Sequence, residues 1–146
     1  MMMIQIASML AFAVLASGAD ETDEVRSVLR RFNEVMRKPE TQSFRGLFTS
    51  QSDYRDGAHT LKGPDTIVFL LTNSQAWSER TPPMLEEVSI RLVGPSAAFV
   101  DARVIQYGST ILKSSVPVVL LLEKDAGVWK FSSWRMSTCA VPLWRE

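Results

Sequence analysis

The chain has 146 residues, enough for one domain, and 46% of them are hydrophobic, an ordinary share for a globular protein. Sixteen basic and sixteen acidic residues cancel, so charge gives no reason to expect nucleic acid or an anionic membrane as a partner. Cys139 is the only cysteine, which excludes an intrachain disulfide and leaves stability to the core.

The N-terminal stretch of residues 1–19 carries no charged side chain. Met9–Ala16 is apolar, and small residues at Ser17-Gly18-Ala19 precede Asp20, which is the pattern of a secretory signal peptide. We therefore predict an exported protein, periplasmic or secreted, with a signal peptide at 1–19 and one domain at 20–146. The stretch is short for a membrane span, so no stable membrane insertion is expected after cleavage. The alternatives are an uncleaved anchor or a wrongly assigned start codon, since the sequence begins Met1-Met2-Met3.

Two helices are predicted next. The apolar stripe Val25–Met36 has helical spacing, acidic residues at Asp20–Glu24 provide an N-terminus, and Pro39 stops the helix. Glu40–Phe48 predicts a second, shorter helix, followed by a brief strand at Ser52–Arg55.

A third helix is predicted to begin at Gly63-Pro64-Asp65, with proline at the first helical position. Its run Ile67–Leu71 is too apolar for a free amphipathic helix, so we expect burial on most sides. Thr81-Pro82-Pro83 then breaks the chain before the strands.

Four strands are predicted in the second half. They are Met84–Val93, Ala97–Tyr107, Ile111–Glu123 and Val128–Thr138, with turns at Gly94-Pro95, Gly108-Ser109 and Lys124–Gly127. The third is almost wholly apolar, which is typical of a central strand, and Pro117 within it predicts a bulge or bend. Short connections favour an antiparallel meander with helices on one side.

Strand parity predicts which side chains face the core. Val88, Ile90 and Leu92 alternate with polar residues in the first of these strands. In the second, the set at Val100, Ala102 and Val104 is expected to face the core. Asp101 and Arg103 would then lie on the outer face among large apolar residues, a mixture typical of an interface. A homodimer through the outer sheet face is therefore predicted.

Five pieces of sequence, in this order and at these spacings, resemble the SnoaL-like branch of the nuclear-transport-factor-2-like superfamily. They are Phe32, the Phe44-x-x-Leu47-Phe48 motif, Asp53-Tyr54-Arg55, Lys62–Ile67 and Gly127–Phe131. The resemblance implies an α+β fold of cystatin-like topology. In it, a curved, mostly antiparallel sheet forms a cone closed by about three N-terminal helices and encloses a cavity. Members include isomerases, dehydratases, epoxide hydrolases, polyketide cyclases and domains with no known reaction, so the fold does not fix the function.

The resemblance also allows a comparison with members of the ketosteroid isomerase type. Their oxyanion-donating tyrosine, general-base aspartate and second acid match Phe32, Asp56 and Val119 here. Phe32 and Val119 cannot donate a hydrogen bond to an enolate, so steroid-isomerase chemistry is rejected. His59 is the only histidine, which also excludes the histidine pair of scytalone dehydratase.

The remaining candidates are two ionisable residues at the rim of the cavity and a set of residues that could line it. Asp56 and His59 could form an acid–base pair at the rim of the cavity, although an Asp-Gly turn explains the same segment. The residues expected to line an apolar cavity are Phe32, Tyr54, Trp77, Val119, Ser132, Trp134 and Met136, and ordinary core packing is the alternative for them. No cofactor motif and no metal-ligand cluster is present.

Three functions stay open from the sequence. The first is a non-enzymatic domain that holds a small apolar or amphipathic molecule. The second is a lyase, isomerase or hydrolase with Asp56 or His59 as general base. The third is a dimeric interaction module whose cavity is filled by its own side chains.

Overall fold

The first helix, α1, runs from Ala7 to Arg37 in a computed structural model that describes residues 7–38, 40–73, 83–107 and 113–136. The expected start at Asp20–Glu24 is therefore wrong, because the helix continues through the apolar leader. Removal of that leader stays a prediction. Val25, Leu29 and Met36 are fully or almost fully buried, as the apolar stripe predicted. No helix in the described part of the chain is long and apolar enough to span a membrane.

The remaining elements follow in the predicted order, with one additional short strand, β2, before the third helix. Two shorter helices, α2 and α3, span Thr41–Arg45 and Pro64–Asn73. The six strands of the described residues are β1 (Phe48–Arg55), β2 (Thr60–Lys62), β3 (Met84–Val93), β4 (Ala97–Tyr107), β5 (Lys113–Asp125) and β6 (Val128–Met136). They form one sheet of order β2-β1-β6-β5-β4-β3 in which only the β1–β6 pair is parallel. The sheet is curved and not closed, and the predicted α+β class is confirmed.

The segment after α1 is less helical than expected. Helix α2 ends at Arg45, and the backbone N–H of Gly46 bonds the carbonyl of Gln42 at its C-terminal end. The chain then joins the sheet, since the N–H of Phe131 donates to the carbonyl of Leu47 at 2.8 Å. Phe48 is therefore the first residue of β1 and not the last of a helix.

The turn between β5 and β6 and the proline within β5 were both expected from the sequence. Ala126 and Gly127 have φ values of 50° and 80°, the left-handed pair that joins antiparallel strands through a two-residue turn. The expected Gly108-Ser109 turn lies outside the described residues. Pro117 pairs with Arg103 without a register shift, so the bulge expected there is absent, and the shift in β5–β6 falls between Leu121 and Leu122.

The helices cover one face of the sheet, here called the inner face, and the opposite face is called the outer face. Val100, Ala102 and Val104 are buried on the inner face, as predicted from parity. In β3 the register shifts between Glu87 and Ser89, so the extra residue Val88 leaves the apolar alternation and is 60% exposed. The apolar run of helix α3 is buried or half-buried as expected, except at Phe69, which is 69% exposed.

Helix α1 holds the edge strand β3 by side-chain contacts. The amide of Asn33 donates from Nδ2 to the carbonyl of Leu85 at 2.9 Å and accepts from the Leu85 N–H at 2.7 Å. Since β3 is the last strand of the sheet, these Leu85 groups point away from β4, and Asn33 takes the place of a further strand. Two helical turns before Asn33, Arg26 donates to both carboxylate oxygens of Glu87.

A second attachment joins the same helix to the turn between β5 and β6. The carboxylate of Glu21 accepts hydrogen bonds from Lys124 Nζ and, at 2.6 Å, from Trp129 Nε1. The hydrogen bond from Lys124 lowers the pKa of Glu21, against the opposing effect of burial. The turn is thereby fixed against the helix.

Candidate ligand-binding site

The inner face of β1 presents polar side chains at alternate positions. Ser52 and Tyr54 are 0% and 2% exposed, and Asp56 follows where the strand ends. The hydroxyl of Tyr54 donates to Oδ2 of Asp56 at 2.8 Å. A polar chain therefore runs from the interior of the sheet to the loop between β1 and β2.

That loop is folded around Asp56. Its Oδ1 accepts the backbone N–H groups of Ala58 and His59, both at 2.7 Å, and its own N–H donates to the carbonyl of His59 at 3.0 Å. The His59 ring follows, with Nδ1 at 3.2 Å from each carboxylate oxygen. Asp56 and His59 thus come together as predicted, within the Asp-Gly turn that was the alternative explanation.

The pKa of Asp56 reflects two opposing effects. Burial of the carboxyl raises it, whereas hydrogen bonds from Ala58, Tyr54 and His59 lower it, and the balance lies below the ordinary value of 3.8. The side chain of Asp56 is 2% exposed and that of His59 is 42% exposed. Asp56 is therefore a buried carboxylate held in its ionised form.

This geometry limits what the pair can do chemically. A carboxylate has about four lone-pair positions, and Asp56 already faces the Tyr54 hydroxyl, two backbone N–H groups and the His59 ring. Asp56 is thus arranged to orient the loop and the ring, and not to accept a substrate proton. His59 is the proton-handling group of this pair that reaches solvent.

An aromatic cluster covers the sheet beside this polar chain. Phe32 from α1 lies 5.2 Å from Trp134 and 5.7 Å from Phe131, measured between ring centroids. Tyr54 lies 6.3 Å from Trp134, the residue opposite it on β6. Of the predicted lining residues, Phe32, Tyr54, Trp134 and Met136 are all buried on the inner face, with at most 6% exposed.

Three buried polar atoms of β1 and β6 have no hydrogen-bond partner in the described part of the chain. They are Trp134 Nε1, Ser52 Oγ and Thr49 Oγ1. Trp134 and Ser52 are 2% and 0% exposed, so bulk water does not reach them. Leaving a buried donor unpaired costs about 1–3 kcal/mol, and such groups are uncommon in folded proteins. Ser52 was not among the residues predicted from the sequence. The one feature that could have indicated it is its position two residues before Tyr54 in a strand, which places both side chains on the same face.

Two of the predicted lining residues lie on the other side of the sheet. The β5–β6 register gives β6 an extra residue at Ser132, so Phe131 and Trp134 both face inward. Ser132 is turned outward, where its hydroxyl donates to Glu123 at 2.9 Å. Val119 is 45% exposed on the outer face, so its expected place on the cavity wall is wrong. The seventh predicted residue, Trp77, lies outside the described residues.

The outer face contains a shallow depression of about 270 Å³. It is lined by Gln51, Asp53, Phe99, Val119, Leu121, Ser132, Ser133 and Arg135. Its polar rim is internally bonded: Ser133 Oγ donates to Asp53 at 2.5 Å, and Arg135 donates to Asp53 at 3.3 Å. Its floor is apolar, and Phe99 is 39% exposed there.

No group of three or more His, Cys, Asp or Glu side chains that could hold a metal ion occurs among the residues that the structure describes.

No protein-family model matches the sequence, and no curated protein matches it significantly.

Solved structures of similar shape are found. An NTF-2-like protein of unknown function from Shewanella oneidensis superposes with a TM-score of 0.67 at 16% identity, covering 80% of this chain and 98% of its own. The fold is nuclear-transport-factor-2-like. An uncharacterised protein with a cystatin-like fold from Caulobacter vibrioides gives a TM-score of 0.64 at 19% identity, covering 81% and 89% of the two chains.

A further likeness is to a domain of unknown function with a cystatin-like fold from Nostoc punctiforme, with a TM-score of 0.65 at 16% identity and coverage of 84% and 79%. These likenesses confirm the fold that the resemblance to SnoaL-like domains implied. At such identities they carry no information on activity.

Proposed function

We propose that this nuclear-transport-factor-2-like protein binds a small, largely apolar molecule against the aromatic inner face, without covalent chemistry. One observation carries the proposal: Trp134 Nε1 and Ser52 Oγ are buried donors with no partner in the described residues. A bound molecule that contacts the aromatic rings and accepts these donors would offset the cost of burying them. We further propose that the protein is exported, on the strength of the apolar leader alone.

The geometry favours binding over the enzymatic alternative. The Asp56 carboxylate is engaged by four donors and stays ionised, so it offers no free lone pair for a substrate proton. His59 alone would have to supply both acid and base functions, and it lies at the solvent-exposed end of the row of polar side chains that begins at Ser52. At the buried end of this row, the side chain of Ser52 offers a hydroxyl group.

Thermal unfolding of the full-length chain tests the proposal. We expect members of a panel of apolar and amphipathic compounds to raise the melting temperature, since ligand at 100 times its Kd adds about 2.7 kcal/mol to the folded state. Ser52→Ala should weaken the shift produced by a polar hit, and Ser50→Ala, at an exposed position of the same strand, should leave it unchanged. A panel that shifts nothing would refute the proposal.

A second proposal concerns the outer face, which we propose as the contact surface of a homodimer. Its support is the exposure of Phe99 and Val119 around the depression, with the Asp53–Arg135 pair at the rim. Val119→Arg should shift the sedimentation of the protein from dimer to monomer. Val128→Arg is the matched control, because Val128 is 54% exposed but lies beside the β5–β6 turn. A wild-type chain that sediments as a monomer refutes the dimer.

A further inference from the structure

Two irregularities of the sheet lie side by side at the outer-face depression. In β6, Ser132 is an extra residue relative to β5. In β1, the segment between Phe48 and Asp53 is longer than the segment of β6 that it faces, so β1 also carries extra residues, among them Gln51. Gln51 and Ser132 both line the depression. Bulges bend a strand and re-aim its side chains, and they are frequent beside functional sites. The depression is therefore a specific feature of this sheet.

The polar rim of the depression keeps unused hydrogen-bond donors. Both oxygens of Asp53 are engaged, one by Ser133 Oγ at 2.5 Å and the other by Arg135 Nη2 at 3.3 Å. Arg135 also donates from Nε to Ser133 Oγ at 3.2 Å, which leaves its Nη1 without a partner in the described part of the chain. A guanidinium has five N–H groups and no acceptor, so the rim offers donors to a ligand.

A second arginine stands beside the first. Arg55 is the β1 residue paired with Arg135 across the parallel strands, so both side chains leave the outer face at neighbouring positions. Arg55 is exposed and has no ion pair with any residue that the structure describes. Two arginines beside the one carboxylate of Asp53 leave an excess of positive charge, which favours an anion. Asp101 and Glu123 lie outside the lining, and each accepts a serine hydroxyl.

The apolar floor of the depression lies on the strands beyond the arginines. Phe99, Val119 and Leu121 form it from β4 and β5, and Phe99 and Val119 are 39% and 45% exposed. Val119 pairs with Arg135 across β5 and β6, so an acid group at the arginine places an adjoining apolar body over this floor. The volume of about 270 Å³ lies just below the range of drug-sized pockets, about 300–1,000 Å³, and suits a smaller molecule.

We propose that the outer-face depression binds a small apolar carboxylate, such as a short-chain acid with an aryl or alkyl group. Its acid group accepts hydrogen bonds from Arg135 and Arg55, and its body contacts Phe99 and Val119. Because the depression is shallow, a ligand bound there rises above the sheet and keeps a second copy of the chain from reaching the same residues. The ligand therefore shifts the proposed homodimer towards monomer. This effect on assembly rests on the proposed homodimer, whereas the binding itself does not.

Three compounds with one phenylbutyl skeleton test the binding by calorimetric titration of the full-length chain. They are 4-phenylbutyrate, which is an anion, 4-phenyl-1-butanol, which is neutral, and 4-phenylbutylamine, which is a cation. We expect the acid to bind about tenfold more tightly than the alcohol, because Arg135 is half-exposed and a charge-assisted hydrogen bond there is partly screened. The amine should bind most weakly, and the preference for the acid should shrink in high salt.

Variants connect this preference to the arginine and the floor. Arg135→Gln should bring the ratio of acid affinity to alcohol affinity towards one. Arg103→Gln is the matched control, since Arg103 lies on the same face but bonds Ser115 outside the depression, and it should preserve the ratio. Phe99→Ala should weaken the binding of all three compounds and leave the ratio unchanged. The ratio is measured within each variant, so a general loss of stability does not mimic the effect.

Sedimentation with and without 4-phenylbutyrate tests the effect on assembly. We expect the acid to raise the monomer fraction by mass action. Equal binding of acid and alcohol, tightest binding of the amine, a ratio that Arg135→Gln leaves unchanged, or no binding of any compound would each overturn the proposed site. An acid that binds and leaves the dimer intact would overturn the competition. A chain that sediments as a monomer without ligand would refute the homodimer, and the titrations would still decide the binding site.

Discussion

The amide of Asn33 offers the sharpest test of how this fold is held together. In the native protein it forms two hydrogen bonds to the backbone of Leu85, a 5%-exposed residue in the edge strand. Asn33→Ala removes both bonds and leaves the Leu85 N–H and C=O facing the helix without a partner. The substitution keeps the helix intact, because alanine has the higher helix propensity.

The size of the effect follows from those two contacts. A net hydrogen bond contributes about 0.5–1.5 kcal/mol, and a stranded buried backbone group costs about 1–3 kcal/mol. We therefore expect Asn33→Ala to lower the free energy of unfolding by about 2–3 kcal/mol. For a domain whose total stability is about 5–15 kcal/mol, that is a large share.

Urea unfolding followed by tryptophan fluorescence measures the loss, with Glu34→Ala as the control. Glu34 is the exposed neighbour of Asn33 on α1, so its replacement should change stability by less than about 0.5 kcal/mol. Asn33→Asp adds a second control. Its carboxylate still accepts the Leu85 N–H but places an anionic oxygen against the Leu85 carbonyl, and protonation restores a donor.

Stability of Asn33→Asp, compared with wild type, should therefore recover as the pH falls through the pKa of the new carboxyl. The reasoning fails if Asn33→Ala costs no more than Glu34→Ala. It fails equally if Asn33→Asp shows no recovery in acid, because the two bonds would then not be formed in solution.

Three further predictions concern other parts of the fold. The pKa of Asp56 is lower in the folded state than its ordinary value of 3.8, so Asp56 stabilises the fold above that value and this contribution is lost as the pH falls through the lower folded pKa. Asp56→Asn should therefore be less stable than wild type at pH 7, and its free energy of unfolding should fall less than that of wild type between about pH 5 and pH 2. An acid-unfolding profile identical to that of wild type would contradict the lowered pKa of Asp56. Ala126→Gly should raise the unfolding free energy by about 0.5–1 kcal/mol, because a φ of 50° strains alanine. Gly127→Ala should lower it by about 1 kcal/mol for the same reason; changes of the opposite sign in urea titrations would show that the turn has another conformation.

Elements with distinct periodicity were predictable from the sequence. Strands β3 and β4 have the predicted bounds, because turn residues at Gly94-Pro95 and alternating side chains define them. Helix α3 starts at Pro64 as predicted. Strand β2 was missed, since three residues with one half-buried side chain carry no period. Helix α2 is shorter than predicted, because a tertiary hydrogen bond to β6 extends β1 back to Phe48.

The candidate site shows where such reasoning stops. Residues 116–122 are all apolar, so alternation cannot distinguish Val118, which is buried, from Val119, which is exposed. Ser132 is an extra residue in β6, so the alternation of inward and outward side chains before it is out of step with the alternation after it. No local feature of the sequence predicts this shift. That Trp134 and Ser52 lack partners depends on side chains brought together from distant segments, which no sequence pattern records.

The parallel contact between β1 and β6 has a consequence for biosynthesis. Phe48 pairs with Phe131 and Tyr54 with Trp134, so about 80 residues must be made and folded back between the two halves of this contact. Strands β3, β4 and β5 can pair as soon as they have been made, whereas β1 has no parallel neighbour until β6 has been made. A nascent chain stalled before Val128 would therefore expose the edge of β5 that β6 covers, and would be open to chaperones and to aggregation until synthesis ends.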